Sequence, residues 1–431
     1  MRYIPIIVTC LLLAAHHFRA GEWGLIGLWL TLPLVLLLRR RWADRALQLV
    51  MAAGALEWLL TLQHLLPIYR RVGMPAARTT IILAVVALVT AASGLVLESR
   101  GRRRRLPEHD PVAPGLGAFL VAGALLAIVQ SVVARPMILA ERFLPAAGWW
   151  EGAALAFYAG WLSDRLREPR RVKQLRPKVW LLFSVVFFTQ LLVGLAGVDK
   201  LLMSGKLHLP VPALIAAGPL YRGGGLFMAI LFTASVLVAG PAWCSWLCYI
   251  GAWDDRFARA RKRPDRLPAW RRHFRWIVLI AVFGTAFALG RLGVGTVTAA
   301  WLAAGFGLVG VGIMATWSRR TGHMAHCTAW CPMGFVATRL GKISPWRLRI
   351  SDGCTDCGAC TPACRYDALY PEDVLRRMPA EACTLCGDCI SRCPTGSIEY
   401  RYLKADPETA RRAFFIIVAA LHAVWLGVAR L

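Results

Sequence analysis

Hydrophobic residues run along this chain in long blocks separated by short basic segments. Eleven blocks are about as long as a bilayer-spanning helix requires: 3–18, 23–38, 46–66, 79–97, 115–134, 147–163, 179–198, 225–247, 274–292, 296–317 and 413–430. The pattern predicts an all-α polytopic membrane bundle of about eleven transmembrane helices. The first block has the apolar core of a signal peptide, Ile4 to Leu13 behind Arg2. It lacks a small-x-small cleavage site, so a retained helix is expected.

Basic segments and prolines divide the chain further. Residues 1–105 form an N-terminal transmembrane region closed by Arg102–Arg105. Residues 106–178 hold two more spans and a basic linker with Pro169 and Pro177. Residues 179–348 form a four-helix membrane module, 349–404 a polar cysteine-rich domain, and 405–431 a final span.

The mean hydropathy of +0.52 and the 57% hydrophobic content are too high for an ordinary soluble protein. The net charge of +27 raises the possibility of nucleic acid, but its distribution excludes that reading. With the N-terminus in the cytoplasm and eleven alternating spans, most of the 51 lysines and arginines fall inside. The charge therefore orients the spans, with the C-terminus outside and lipid head groups as natural contacts.

Eight of the thirteen cysteines form two copies of one spacing. Cys354, Cys357, Cys360 and Cys364 read C-x2-C-x2-C-x3-C, and Cys383, Cys386, Cys389 and Cys393 repeat it, followed by Pro394. This is the ligand run of a bacterial two-cluster ferredoxin, in which each close triplet takes its fourth thiolate from the other run. Two [4Fe–4S] clusters are expected in a small α+β domain. Cluster one falls to Cys354, Cys357, Cys360 and Cys393; cluster two to Cys383, Cys386, Cys389 and Cys364. Zinc prefers paired C-x2-C knuckles to a triplet plus one.

Four more cysteines form an internal repeat. Cys244-Ser-Trp-Leu-Cys248-Tyr-Ile-Gly251 and Cys327-Thr-Ala-Trp-Cys331-Pro-Met-Gly334 are both C-x3-C-x2-G, and each follows a helical hairpin. Residues four apart share a helical face, so each motif is expected to present two thiols side by side. Four converging thiols can ligate zinc, an iron–sulfur centre or Cu(I), or cycle between dithiol and disulfide. Cys10, alone in the first block, is expected to pack as a small hydrophobe.

Two C-x3-C motifs ahead of a two-cluster ferredoxin domain resemble the NapH/NosR family of membrane ferredoxin-type proteins, to which MauN and the copper-handling CcoG proteins are similar. The resemblance covers roughly residues 177–402. Family members usually carry proline after each motif's last cysteine. This chain has Pro332 and Pro394, but Tyr249 and Arg365 at the other two positions, and no segment corresponding to the flavin-bearing domain of NosR relatives. The resemblance implies electron transfer linked to membrane quinol or a redox partner, in the bacterial inner (cytoplasmic) membrane with the ferredoxin domain in the cytoplasm.

Other residues are candidates for supporting roles. His323 and His326 precede Cys327 and could extend a metal site. His16, His17 and His64 lie near span ends, where facing histidines could hold haem or copper. Glu57 falls within an apolar span, where an ionisable group is a candidate for proton relay or quinone binding. Asp199 opens the loop 199–224 and His208 lies within it; either could accept a proton from a quinol. Most of the eighteen tryptophans fall at span ends, as in an aromatic belt.

The expectation is a membrane electron-transfer protein, an oxidoreductase component working with a quinone or a redox partner protein. The alternatives are a copper reductase or metallocofactor maturation factor using the cysteine pairs, and a redox-sensing membrane regulator.

Overall fold

The computed structural model describes residues 3–38, 41–72, 77–98, 113–133, 136–202 and 209–428. The run Arg102–Arg105, the signal-peptide residue Arg2 and the candidate His208 lie outside them. Of the eleven expected spans, eight have both the length and the hydropathy to cross a membrane. They are Ala43–Tyr69, Ala77–Gly94, Pro114–Ser131, Pro169–Leu195, Phe227–Leu247, Arg271–Arg291, Thr296–Thr321 and Pro407–Val428. The apolar helices Ile4–Arg19 and Trp23–Leu36 are shorter, and the helix Ala147–Leu166 falls outside this set. Large apolar side chains point outward along the spans; Leu49, Leu88, Ile280 and Trp301 are all more than three-fifths exposed. Such a surface fits a lipid environment.

The chain divides into two compact units, Met1–Ala113 and Pro114–Leu431. In the first, Ile6, Cys10 and Leu13 on the helix Ile4–Ala20 pack in one core with Leu47, Met51 and Trp58 of the helix Arg41–Val72. Cys10 is buried there. Gly54 permits the close approach, since a Cβ at that position would stand 2.6 Å from the Leu13 side chain.

In the second unit the membrane helices carry a small cysteine-rich domain framed by two antiparallel strands. Strand β1 (Trp346–Ile350) pairs with β2 (Ile398–Tyr402), with Trp346 opposite Tyr402 and Ile350 opposite Ile398. The first strand thus starts at Trp346, ahead of the boundary expected at 349. Trp346, Leu348 and Ile350 alternate toward the core, as the two-residue period of a strand dictates.

The domain is seated on the helices by buried aromatics. Tyr400 stacks on Phe414 of the helix Pro407–Val428, with ring centroids 4.3 Å apart, and Trp346 Nε1 donates to the Val238 carbonyl at 2.8 Å. The chain passes from β2 into that last helix after only a few residues, so the domain cannot swing far from the bundle.

Candidate functional site

Each copy of the duplicated cysteine run bends the same way. Asp356 and Leu385, two residues into their respective runs, both have left-handed backbone (φ 52° and 56°), as do Gly358 and Gly387. At Gly387 a side chain is also excluded by space, since a Cβ would stand 2.7 Å from the Tyr400 hydroxyl. These turns wrap each run around a small cavity.

One cavity is lined by Cys354, Cys357, Cys360 and Cys393, the other by Cys364, Cys383, Cys386 and Cys389. The structure therefore gathers the cysteines crosswise between the runs. Backbone N–H groups point at the sulfurs, as with Ala368 N–H donating to Cys364 Sγ at 3.4 Å. Burial pushes the Cys393 thiol up, but the Thr395 hydroxyl and the backbone amides of Ser397 and Ile398 outweigh it and lower the pKa from its usual value. A soft four-sulfur donor set with amide support suits iron–sulfur ligation.

The C-x3-C motifs depart from the expected geometry. Trp243–Leu247 and His326–Trp330 are wide π-turns, closed by Cys248 N–H to Trp243 O (3.0 Å) and Cys331 N–H to His326 O (2.8 Å). The second cysteine of each pair lies beyond the turn in extended backbone, so the two thiols do not share one α-helical face. The physical reason is that the chain leaves the helix at that cysteine, which frees the following amides to turn back on its sulfur.

The extended conformation is shared. Cys248 (φ −79°, ψ 115°) and Cys331 (−75°, 115°) match Cys364 (−77°, 110°) and Cys393 (−75°, 115°), the last cysteines of the two runs. The motif's glycine also has a role. A Cβ on Gly334 would stand 2.7 Å from the Cys327 carbonyl, and one on Gly251 would stand 3.0 Å from the Cys244 carbonyl.

The two motifs meet. Asp254, just after the first motif, accepts a hydrogen bond from the Cys327 backbone N–H at 2.9 Å. Burial pushes the Cys327 thiol well above its ordinary range, and the charges of Asp254, Cys248, Cys331 and Cys244 push it further. Burial likewise raises Cys331, against the opposing amides of Gly334 and Met333. Neighbouring buried thiols of this kind favour a bound metal centre, which takes the thiolate without a proton. Among the described residues, no three His, Cys, Asp or Glu converge as ligands of a single ion. That holds equally for the cysteine sets that line the two cavities. A cluster places each thiolate on its own iron, so it requires no such convergence.

The cavity lined by Cys364, Cys383, Cys386 and Cys389 adjoins the first C-x3-C motif. Tyr366 lines that cavity and donates to the Cys244 carbonyl at 3.3 Å. Ser245 Oγ donates to the Thr384 carbonyl at 2.9 Å, and Met324 N–H to the Arg365 carbonyl at 2.9 Å. Cys327, Cys364, Cys383 and Cys386 pack against one apolar cluster that includes Trp180, Met324 and Tyr366.

A buried ionic network welds the same contact. Arg176 donates to Asp388, Asp255 and the Ser245 carbonyl, while Arg259 donates to Asp255 and Asp388. Burial works against the charge on Asp255, but Arg176 and Arg259 outweigh it and hold the carboxyl below its usual range.

The remaining candidates are distributed elsewhere. His323 Nε2 lies 3.4 Å from the Tyr370 hydroxyl and 3.9 Å from an Asp367 oxygen. The His326 ring packs against Gly310 of the helix Thr296–Ile313. In the first unit, Glu57 lies 3.2 Å from His17 and 3.8 Å from His16, and His17 also meets Glu22 at 2.6 Å. His64 is exposed. Asp199 is exposed beyond the far end of the helix Pro169–Leu195. At 1.5 Å per residue it stands roughly 30 Å from the level of Arg176.

Sequence reading missed Arg176, Asp254, Asp255 and Tyr366. Arg176 sits in a basic linker where charge alone accounts for it. Asp388, between Cys386 and Cys389, was open to notice as a carboxylate inside a ligand run.

A family model described as a 4Fe-4S binding domain matches residues 221–268. The matched segment contains Cys244, Cys248 and Gly251 and lies outside the duplicated runs. A search of curated proteins and a search of solved structures each returned no match. The matched domain and the cysteine sets point to iron–sulfur binding in a chain whose apolar helices fit a membrane protein.

Proposed function

We propose that this chain is a membrane-bound iron–sulfur electron-transfer protein of the NapH/NosR type. Three four-cysteine sets would hold [4Fe–4S] clusters: the two crosswise ferredoxin sets, and Cys244, Cys248, Cys327 and Cys331 at the membrane module. Bound clusters supply one-electron chemistry, and the protein supplies spacing, amide hydrogen bonds and a low dielectric. The ferredoxin domain faces the cytoplasm of a bacterial cell. The chain exchanges electrons with a quinone pool or a redox partner protein as an oxidoreductase component.

The observation that carries this reading is the shared backbone of Cys248, Cys331, Cys364 and Cys393. The membrane motifs thereby repeat the local geometry by which a ferredoxin run delivers its last thiolate. The match of a 4Fe-4S binding domain to the segment around Cys244 and Cys248 supports it independently.

The test is anaerobic purification with iron and sulfide analysis and EPR. Wild type is expected to carry three clusters' worth of iron per chain, and a variant with all four membrane cysteines changed to serine two. Equal iron in the two proteins would remove the third centre. Mixing with a quinol analogue then reads the donor. Reduction of the clusters supports quinol linkage; reduction only by a soluble low-potential donor assigns the partner to the cytoplasm.

A further inference from the structure

Beside the second ferredoxin cavity lies a larger one of about 730 Å³. It opens between the start of the helix Arg271–Arg291, the helix Pro332–Leu340 and the ferredoxin domain. Its volume lies within the range of sites that take cofactor-sized ligands. Seven arginine and lysine side chains line it against three carboxylates, an excess of four positive charges.

Two of these cations hold donors with nothing to bind. Arg271 and Arg275 are both more than nine-tenths buried, and the Nε of each has no hydrogen-bond partner. Arg271 spends its Nη2 on Asp367, and Arg275 spends its Nη2 on Thr338 Oγ1 at 3.1 Å. A buried unsatisfied donor on a charged group costs free energy that a ligand can return. The floor is aromatic, with the Arg275 and Arg339 guanidinium groups lying over the Phe335 ring at 4.5 and 5.2 Å.

We infer that this cavity is a binding site for a phosphate-bearing ligand, with Arg271 and Arg275 as its principal anchors. Guanidinium groups match phosphate oxygens in geometry and charge, and that of Arg275 lies over the aromatic floor with its Nε still unpaired. A sulfur-bearing wall places the ligand against the cluster-two set, since Leu348, Pro379 and Cys383 line both cavities. A phosphate there comes from one of two sources, a soluble phosphorylated molecule or a phospholipid head group. The site goes beyond the electron-transfer reading and stands whether or not that reading holds.

The experiment uses full-length protein in dodecyl maltoside micelles, which carry no phosphate, titrated calorimetrically with inorganic pyrophosphate. Saturable one-site binding is expected, weakened at least tenfold in Arg275→Gln and several-fold in Arg272→Gln. The latter changes an exposed side chain at the rim and guards against misfolding; unchanged iron content confirms that each variant is intact. A second arm adds phosphatidylglycerol to the micelles. Loss of pyrophosphate binding there identifies a head group as the occupant. Unchanged binding identifies a soluble ligand. Absence of saturable binding in the phosphate-free micelles together with no thermal stabilisation by phosphatidylglycerol overturns the site, as does equal affinity in wild type and both variants.

Discussion

Arg176 clasps Asp388 with two parallel hydrogen bonds, Nε to Oδ1 at 2.9 Å and Nη2 to Oδ2 at 2.8 Å. One residue belongs to the apolar helix Pro169–Leu195 and the other to the second cysteine run, 212 positions apart. Both are buried, and each is tied to Asp255 or Arg259 as well. The pair fixes the second ferredoxin cavity against the first membrane motif, and so fixes the distance between two cysteine sets.

Removing the arginine tests that role. Arg176→Met leaves Asp255 and Asp388 buried with only Arg259 between them. A loss of about 3–5 kcal/mol is expected, because a buried charge without its partner is costly. The loss is read as a lower denaturant midpoint in detergent, with the signal of the Cys364, Cys383, Cys386 and Cys389 set depleted before that of the other. An unchanged midpoint would show that the network contributes nothing net.

Crossed ligation gives a second expectation. Cys364→Ser, in the first run, is expected to damage the cluster grouped with Cys383, Cys386 and Cys389. Cys393→Ser, in the second run, is expected to damage the one grouped with Cys354, Cys357 and Cys360. EPR of the reduced proteins distinguishes the two signals. If each serine abolished the signal of its own run, the crosswise grouping would be wrong.

The glycine of the C-x3-C-x2-G motif is a spatial requirement. In Gly334→Ala the added methyl meets the Cys327 carbonyl at 2.7 Å, so the second motif must open. Overpacking of this kind costs about 1–3 kcal/mol. Iron at the membrane centre is expected to fall while both ferredoxin signals persist. Parallel loss of all three would indicate a general folding defect.

His323 sets a pH dependence. Burial holds its imidazole neutral and lowers its pKa from 6.5 to about 4; a hydrogen bond with the Arg365 backbone and the charge of Asp265 oppose this, while the charges of Arg365 and Arg271 add to it. Tyr370 and Asp367 also face the ring. Between these values the unfolded chain binds the proton that the folded chain refuses. The contribution is therefore whole above pH 6.5 and is lost as pH falls toward 4, up to roughly 3 kcal/mol. Unfolding midpoints from pH 7 to 5 are expected to fall less steeply in His323→Gln than in wild type. Identical slopes would assign the acid sensitivity elsewhere.

Much of this was legible in the residues themselves. Long apolar blocks announce spanning helices because hydrocarbon admits backbone only with its hydrogen bonds made internally. The cysteine spacings group the same residues that line the two cavities, each close triplet with the last cysteine of the other run. The C-x3-C pairs were visible as pairs, but the wide turn at Trp243–Leu247 and the extended backbone at Cys248 were not. Ideal helical periodicity places residues four apart on one face and says nothing of where the helix ends.

Tertiary structure alone decided the rest. It brought Arg176 to Asp388, Tyr366 to the Cys244 carbonyl, and Glu57 to His17. It also gathered Arg271, Arg275 and Phe335 around one cavity beside Cys383. In the sequence most of these are ordinary basic and aromatic residues; Glu57 stands out as an ionisable group within an apolar span, but its pairing with His17 does not. Their chemistry arises from burial and mutual approach across tens or hundreds of positions. Those are properties of the packed chain, which local spacing does not carry.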